Sequence, residues 1–548
     1  MVQWIKQNSV LFLIIVTILM LFVNLDVLQT NIMEARNIIS AREMVNDGNW
    51  IFTTLNGLPR YEKPPLPTWI TAVFGNVFGF ENFFWLRVPV VLITILLVIW
   101  FYKTLTKFDL TKQQVVNSSL VLITSFYVFF SGRDNNWDMY THSFMMGTIF
   151  FLVKEFQATK FNLFNFIIAF FFLGCSIMSK GPVSLYALFL PFLIAYFIVF
   201  RQKLGRNLRI ALLTIILGCV VGFAWMLYVK YFDAEHFLAA STKEVNNWHS
   251  YNTRPIYYYW SFFTQSGLWT IPALVSLIYP YLRHKVTNKR AYQFAWLWTV
   301  FSVVLLSLIP EKKSRYLLPV LIPLAMNIGF YIEYLRLEFK NFSNKVEKYF
   351  TNFAFGLYGL IGIAIAVGVF IYTKDRLSEF LVWSIPFAVV GLVLGLSILK
   401  GLKIKSFEQV FYSTVLLMCS VVSFGFPLSK LTFSEELYSS AKNLHRLEKQ
   451  YQIKTYETQS FVPEIVLDYG TSIPAIYDGK KLNFPKETKF GMLANQSDSI
   501  LIAEQFKNYS FQKIGVVDLN HSSKNQKNYN DRIQKDYYLV QKKRFTFE

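Results

Sequence analysis

Between residues 31 and 69 the chain gathers Glu34, Arg36, Arg42, Glu43, Asp47, Arg60, Glu62 and Lys63, flanked by apolar segments that avoid charge. Hydrophobic collapse does not produce such a cluster, so the stretch calls for a wet, polar role at a membrane edge. Its sharpest piece is Tyr61-Glu62-Lys63-Pro64-Pro65-Leu66. The two prolines lack backbone donors and hold the chain extended, which stiffens the loop beside its charges. Proline also suits the first turn of a helix. Glu62 can bind a divalent cation or position a hydroxyl, and Lys63 can grip a phosphate; the plainer alternative is an exposed ion pair at a helix start. Further along, Asp134, Asp138, Lys180, Arg254, Lys312, Lys313 and Arg315 stand at the mouths of apolar runs. Ionisable groups there are expensive unless paired or hydrated, which makes them functional candidates. Lys63, Lys180, Arg254 and Lys313 can jointly neutralise a phosphate, the guanidinium with a two-pronged grip. Lys180 can alternatively snorkel to the interface.

These residues need elements to hold them. Of 548 residues, 54% are hydrophobic and 18% aromatic, far from ordinary soluble composition. Apolar runs of about 20 residues recur, enough to cross a ~30 Å hydrocarbon core. Thirteen spanning helices are expected near 9–28, 85–105, 113–130, 138–154, 163–179, 182–200, 208–229, 256–281, 291–309, 315–335, 350–372, 379–399 and 408–429. Alternate breaks carry Lys103/Lys107/Lys112, Lys154/Lys160, Arg201/Lys203/Arg206/Arg209, Arg283/Lys285/Lys289/Arg290, Arg336/Lys340/Lys345/Lys348 and Lys400/Lys403/Lys405. With Lys6 they satisfy the positive-inside bias if they face the cytoplasm. The net charge of +20 is thereby explained by topology rather than by a nucleic-acid face. Residues 65–80 form too short an apolar run to cross, and counting it would turn every later basic break outward. It reads as a helix lying at the outer surface, with Trp69 at headgroup level. The outward breaks, 29–84 and 230–255 chief among them, hold most of the acids, with His236 and His249. The chemistry therefore faces away from cytoplasmic nucleotide sugars and ATP. The cysteines Cys175, Cys219 and Cys419 all lie in apolar runs, against a disulfide framework.

The expected division is a membrane domain over 1–429 and a small extracytoplasmic α/β domain over 430–548. In the latter, 434–450 reads as helix, and 453–457, 499–503, 514–519 and 537–540 as strands.

Pro59-Arg60-Tyr61-Glu62-Lys63-Pro64-Pro65-Leu66-Pro67-Thr68-Trp69 resembles the hallmark of the bacterial aminoarabinose lipid A transferases and the wider protein-O-mannosyltransferase-like superfamily. Glu34-Ala35-Arg36 and Ala41-Arg42-Glu43-Met44, followed by Gly48-Asn49-Trp50, resemble that group's first outer loop. Asp138, Met178-Ser179-Lys180-Gly181-Pro182, Arg254-Pro255-Ile256-Tyr257-Tyr258-Tyr259 and Lys313-Ser314-Arg315-Tyr316-Leu317-Leu318-Pro319 continue the likeness in order over roughly residues 5–335. Two departures stand out: Met33 occupies the place of the group's usual Asp, and Asn37 that of an aromatic.

The resemblance implies an all-α polytopic GT-C fold, an undecaprenyl-phosphate-type sugar donor and an outer-face active site. The expected activity is transfer of one sugar to lipid A, another envelope glycan or a protein. A polyprenyl-linked glycan flippase and a protein O-mannosyltransferase are the alternatives. Glu34 and Asp138 are the expected catalytic carboxylates, with Asp134 behind them. Lys63, Lys180, Arg254, Lys313 and Arg315 are expected on the donor phosphate, and Arg36, Tyr61 and Tyr316 as positioning groups. A divalent metal would take Glu62 and His249, although a histidine near aromatics also suits a plain interfacial place. The setting is an inner membrane, with a cytoplasmic N-terminus and the site and C-terminal domain on the periplasmic face.

Overall fold

The computed structural model describes residues 2–201, 204–342, 344–432, 437–459, 461–477, 482–495 and 498–543. It divides into two compact units, Met1–Leu28, Tyr61–Ile70 and Glu81–Leu428 forming the first, and Gln29–Arg60, Thr71–Phe80 and Ser429–Glu548 the second.

In the first unit the apolar runs fold as helices. Among the described residues, seven helical runs are long and apolar enough to cross a membrane: Phe83–Leu105, Leu163–Lys180, Leu204–Phe232, Lys289–Leu308, Ser314–Glu338, Lys345–Lys403 and Phe407–Leu431. The sixth is a hairpin of Lys345–Thr373 and Leu377–Lys403. Gly359 lies against the carbonyl of Gly395 and Gly362 against that of Gly391, so the missing side chains let the two backbones meet.

Helix also occupies the other expected passages, but not as long unbroken apolar rods. Ser9–Leu21 has 13 residues. Trp137–Gln157 is long but carries Asp138, His142, Lys154 and Glu155. The passage at 113–130 breaks at Ser125, which is extended between Lys112–Thr124 and Phe126–Ser131. That at 182–200 starts as a π-turn, Leu185–Phe189, before Leu190–Val199. The expected helix over 256–281 is two 3₁₀ stretches, Ile256–Tyr259 and Phe262–Trp269, then the short helices Thr270–Leu277 and Tyr279–Leu282. Gly267 interrupts it at φ 64°, a conformation that favours glycine.

Buried arginines fasten the ends of these helices. The guanidinium of Arg133 donates to the carbonyls of Met20 at 2.9 Å, Leu21 at 3.2 Å and Val23 at 2.8 Å, where a helix terminus leaves acceptors without partners. Arg87 donates to Leu25 O at 2.8 Å. Leu66–Phe78 has 13 residues, about 20 Å of helix, the same length as Ser9–Leu21.

The second unit has a four-stranded sheet in the order β3-β4-β6-β5. These are β3 Thr455–Glu457, β4 Lys489–Ala494, β5 Tyr509–Asp518 and β6 Gln534–Lys542. β3 pairs parallel to β4, and β6 runs antiparallel to both β4 and β5. Residues 499–503, expected as a strand, are instead helix Ser499–Gln505. A short apolar run does not distinguish the two states by itself, and here Ile502 packs on the core of Phe490, Met492 and Val540. Of the expected helix over 434–450, residues 434–436 lie outside the described residues; a 3₁₀ turn at Ala441–Asn443 leads into Leu444–Tyr451.

The charged loop folds with this sheet. Its helix, Ile32–Asp47, is capped by Asn31, whose side chain accepts from the amides of Met33 and Glu34, and ends at Gly48 with φ 76°. A two-stranded hairpin follows, β1 Thr54–Leu55 and β2 Leu58–Pro59, turning on Asn56-Gly57. Arg42 donates to Val466 O at 3.2 Å and Leu467 O at 3.3 Å, and Ser472 donates to Glu43 at 3.1 Å. Asn56 exchanges two hydrogen bonds with the backbone of Ile473, at 2.8 and 2.7 Å. The division at 429/430 puts this loop with the membrane part; by packing, 29–60 and 71–80 go with the C-terminal segment.

Candidate active site

Trp137–Gln157 and Leu163–Lys180 are neighbouring helices, and the site forms where the first begins and the second ends. Asn136 caps the first by accepting from Asp138 N at 2.8 Å, which places Asp138 in an N-terminal turn that favours a carboxylate. Lys180 lies in the last turn of the second, where a cation is favoured, and Gly181, at φ 76°, turns the chain away. The two side chains form an ion pair only 9% and 10% exposed. One turn deeper, His142 Nδ1 is 3.1 Å from Ser184 Oγ. Asp134 accepts from Asn136 Nδ2 at 2.7 Å.

Around this pair stand more cations. The Tyr316 ring centroid is 5.5 Å from Lys180 Nζ, 5.6 Å from Lys313 Nζ and 5.9 Å from Arg315 Cζ. Tyr316 donates to Glu311 at 3.0 Å, and Lys313 reaches the same carboxylate at 2.5 Å while lying 4.7 Å from the Tyr251 ring. Arg254 is brought to this turn by its backbone. Its amide donates to Pro310 O at 3.1 Å, Thr253 bridges to Glu311, and Lys312 N donates to Asn252 O at 3.1 Å. The buried Lys312 ammonium donates to Arg254 O at 3.0 Å and Ile309 O at 2.6 Å, and burial lowers its pKa. Lys312 thus pins the loop instead of facing a ligand.

The Tyr61-Glu62-Lys63 motif meets residues 233–244. Tyr61 donates to Asp233 at 2.7 Å, Glu62 is 3.6 Å from Lys243, and Lys63 is 3.1 Å from Glu244. Asp233 in turn is 2.8 Å from His236 Nδ1. Burial and the bond to Asp233 raise the Tyr61 phenol well above its ordinary range, so it stays a donor. Its two hydrogen bonds hold Asp233 below the usual carboxylate range.

Of the five cations expected on a phosphate, three carry a carboxylate: Lys63 has Glu244, Lys180 has Asp138, and Lys313 has Glu311. The guanidinium groups of Arg254 and Arg315 make no ion pair among the described residues. Glu34 and Arg36 belong to the loop helix of the second unit, where Glu34 is buried and the Arg36 carbonyl accepts from Arg60 at 3.3 Å. Of the two residues expected on a metal, Glu62 is 3.6 Å from Lys243 and the side chain of His249 lies outside the described residues, among which no group of three or more metal-ligating side chains occurs. Sequence reasoning missed Glu311, His142, Asp233 and Glu244. The recurrence Asp233, Phe237, Ala240, Glu244 along one helical face was the available signal for the last two.

Residues 62–228 match the family model described as dolichyl-phosphate-mannose-protein mannosyltransferase. The chain is 26% identical over 304 residues to the undecaprenyl phosphate-alpha-4-amino-4-deoxy-L-arabinose arabinosyl transferase of Shewanella sediminis, covering 52% of each. It is 24% identical over 306 residues to such a transferase of Pseudomonas fluorescens, covering 53% of this chain and 51% of the relative. The chain thus spans about half the length of the curated relatives it matches. Among solved structures, ArnT from Cupriavidus metallidurans bound to undecaprenyl phosphate superposes with TM-score 0.65 at 15% identity, covering 97% of this chain and 98% of that one. Its apo state gives 0.66, covering 98% of each chain. The chain has that GT-C fold, with a small C-terminal sheet domain.

Proposed function

We propose that this protein is a membrane-embedded glycosyltransferase that moves one sugar from a polyprenyl (undecaprenyl) phosphate to an acceptor at the outer face of the inner membrane. The observation that carries this reading is the buried Asp138–Lys180 pair beside the Tyr316 ring, on which Lys313 and Arg315 also converge. Such a cluster suits a reaction in which a phosphate leaves while positive charge builds on a sugar.

In that reaction the bond from the anomeric carbon to the phosphate oxygen breaks, and its electron pair departs on the phosphate. An acceptor oxygen bonds to the same carbon. The transition state is oxocarbenium-like, and cations already in place around the leaving phosphate stabilise charge where it develops. Arg254 and Arg315, which hold no carboxylate among the described residues, are the primary phosphate ligands, with Lys63 and Lys180 beside them. A hydroxyl acceptor surrenders its proton to a carboxylate, Asp138 being the candidate beside these cations; a phosphate acceptor such as that of lipid A needs none. The kinship in sequence with undecaprenyl-phosphate aminoarabinose transferases supports the donor class.

A single-turnover assay with a radiolabelled polyprenyl-phosphate sugar tests the reading. Transfer of label to envelope lipid, glycan or protein is the expected result. Binding or translocation of the donor without transfer overturns it in favour of a carrier. Mass spectrometry of envelope lipids and glycoproteins from a deletion strain then identifies the acceptor.

A further inference from the structure

The helix Ala234–Ser250 lies over the Tyr61-Glu62-Lys63 motif by one narrow face. Asp233, Phe237, Ala240 and Glu244 recur at intervals of four, three and four residues, the spacing of a helical stripe. Asp233 takes the Tyr61 hydroxyl, and Phe237 and Ala240 pack on the cluster of Tyr61, Trp225 and Val229. Glu244 ends the stripe, with Oε1 3.1 Å from Lys63 Nζ. Off this stripe, Leu238 and Val245 are each 53% exposed.

We propose that Glu244 is a built-in counterion which the donor's phosphate must displace from Lys63, making this strap helix a determinant of donor affinity. The proposal rests on the reading of Lys63 as a phosphate ligand. A carboxylate at hydrogen-bond distance from the ammonium fills the position a phosphate oxygen would take. It also repels a second anion placed beside it, so binding exchanges one anion for the other. Lys243, the neighbour of Glu244, is 3.6 Å from Glu62, so the same turn of the strap presents each charge of the motif with its opposite.

The test measures affinity of the purified full chain in detergent for undecaprenyl phosphate, with uncharged undecaprenol as the control lipid. Glu244→Gln is expected to bind undecaprenyl phosphate roughly one and a half to fivefold more tightly, the range of a partly exposed ion pair. The gain should shrink as salt rises. Lys63→Gln should weaken binding, and Glu244→Gln should add nothing in the Lys63→Gln background, since the coupling needs both partners. Glu235→Gln removes an acid from the first turn of the same helix and should leave affinity unchanged. If Lys63→Gln weakens binding but Glu244→Gln does not tighten it, or if Glu235→Gln tightens it equally, the counterion proposal fails and the phosphate reading stands. If Lys63→Gln leaves affinity intact, the reading of Lys63 fails and the proposal with it.

Discussion

Asp138 and Lys180 neutralise each other in a nearly closed site, so removing either charge leaves the other buried without its partner, a larger loss than the pair's own net worth. Asp138→Asn should lower turnover by about 10²–10⁴-fold if the carboxylate withdraws a proton. The loss should persist at saturating donor, which a rapid-quench assay measures. Arg315 has a different prediction, because its guanidinium meets no carboxylate among the described residues. A charge-assisted hydrogen bond contributes roughly 1.5–3 kcal/mol, so Arg315→Ala should raise the donor Kd about ten- to a hundredfold. An unchanged Kd would take Arg315 out of the phosphate site. The cations of this site were legible in the sequence because charge at the mouth of an apolar run is conspicuous. Their counterions were not, since Glu244 and Glu311 stand 181 residues and two residues from the lysines they meet, and nothing in composition separates a partnered acid from a solvated one.

At the scale of elements, helices announced themselves by long apolar stretches, while the partners of the first outer loop left no pattern. Arg42 and Asn56 bind backbone groups of Val466, Leu467 and Ile473, and a backbone carbonyl looks the same beneath any side chain. β4 was equally hard to foresee, because Lys489 and Gly491 interrupt its apolar residues. Arg42→Met should leave buried carbonyls without donors and destabilise the second unit by about 2–3 kcal/mol. Hydrogen exchange should then rise together in 32–47 and 463–473; a rise in one segment alone would deny that they form one folding element. Glu457 of β3 gives a pH prediction. Its carboxylate is wholly buried beside Lys535 at 2.9 Å, and burial outweighs the lysine's pull and raises its pKa from 4.5 to about 7. The folded state therefore binds more protons than the unfolded between those values, and stability falls as pH rises through that window. The slope is at most about 1.4 kcal/mol per pH unit. Urea titrations read by exchange protection of β4 and β6 at pH 5 and pH 7.5 should show the fall, and Glu457→Gln should flatten it.

For the molecule as a whole, the placement of the chemistry on one side of a bilayer turns on parity. Two residues in direct contact at a membrane face must be separated by an even number of crossings. Lys6 is 2.8 Å from Glu408, and the expected helices between them number twelve, from 9–28 to 379–399. Counting 65–80 as a crossing would make thirteen and put the two charges on opposite faces. Other contacts keep the same rule. Arg206 of one basic break meets Glu155 of another at 2.6 Å, Lys405 donates to Lys340 O at 3.4 Å, and Arg336 lies 3.9 Å from Glu408. The breaks assigned outward likewise meet one another, Tyr61 with Asp233, Lys63 with Glu244 and Arg254 with Pro310. A thirteen-crossing arrangement requires short or broken passages such as Ser9–Leu21 and 256–281 to traverse the membrane, with their irregular backbone covered by neighbouring helices rather than by lipid. An alkaline phosphatase fused after residue 548 should accordingly be active, and a fluorescent protein at the same place, which matures only in the cytoplasm, should be dark. The same phosphatase fused within the basic break 400–406 should be inactive. The opposite pattern would mean that the contact-sharing breaks have been assigned to the wrong faces, and it would carry the phosphate site, with Lys63 and Arg315, to the cytoplasmic side.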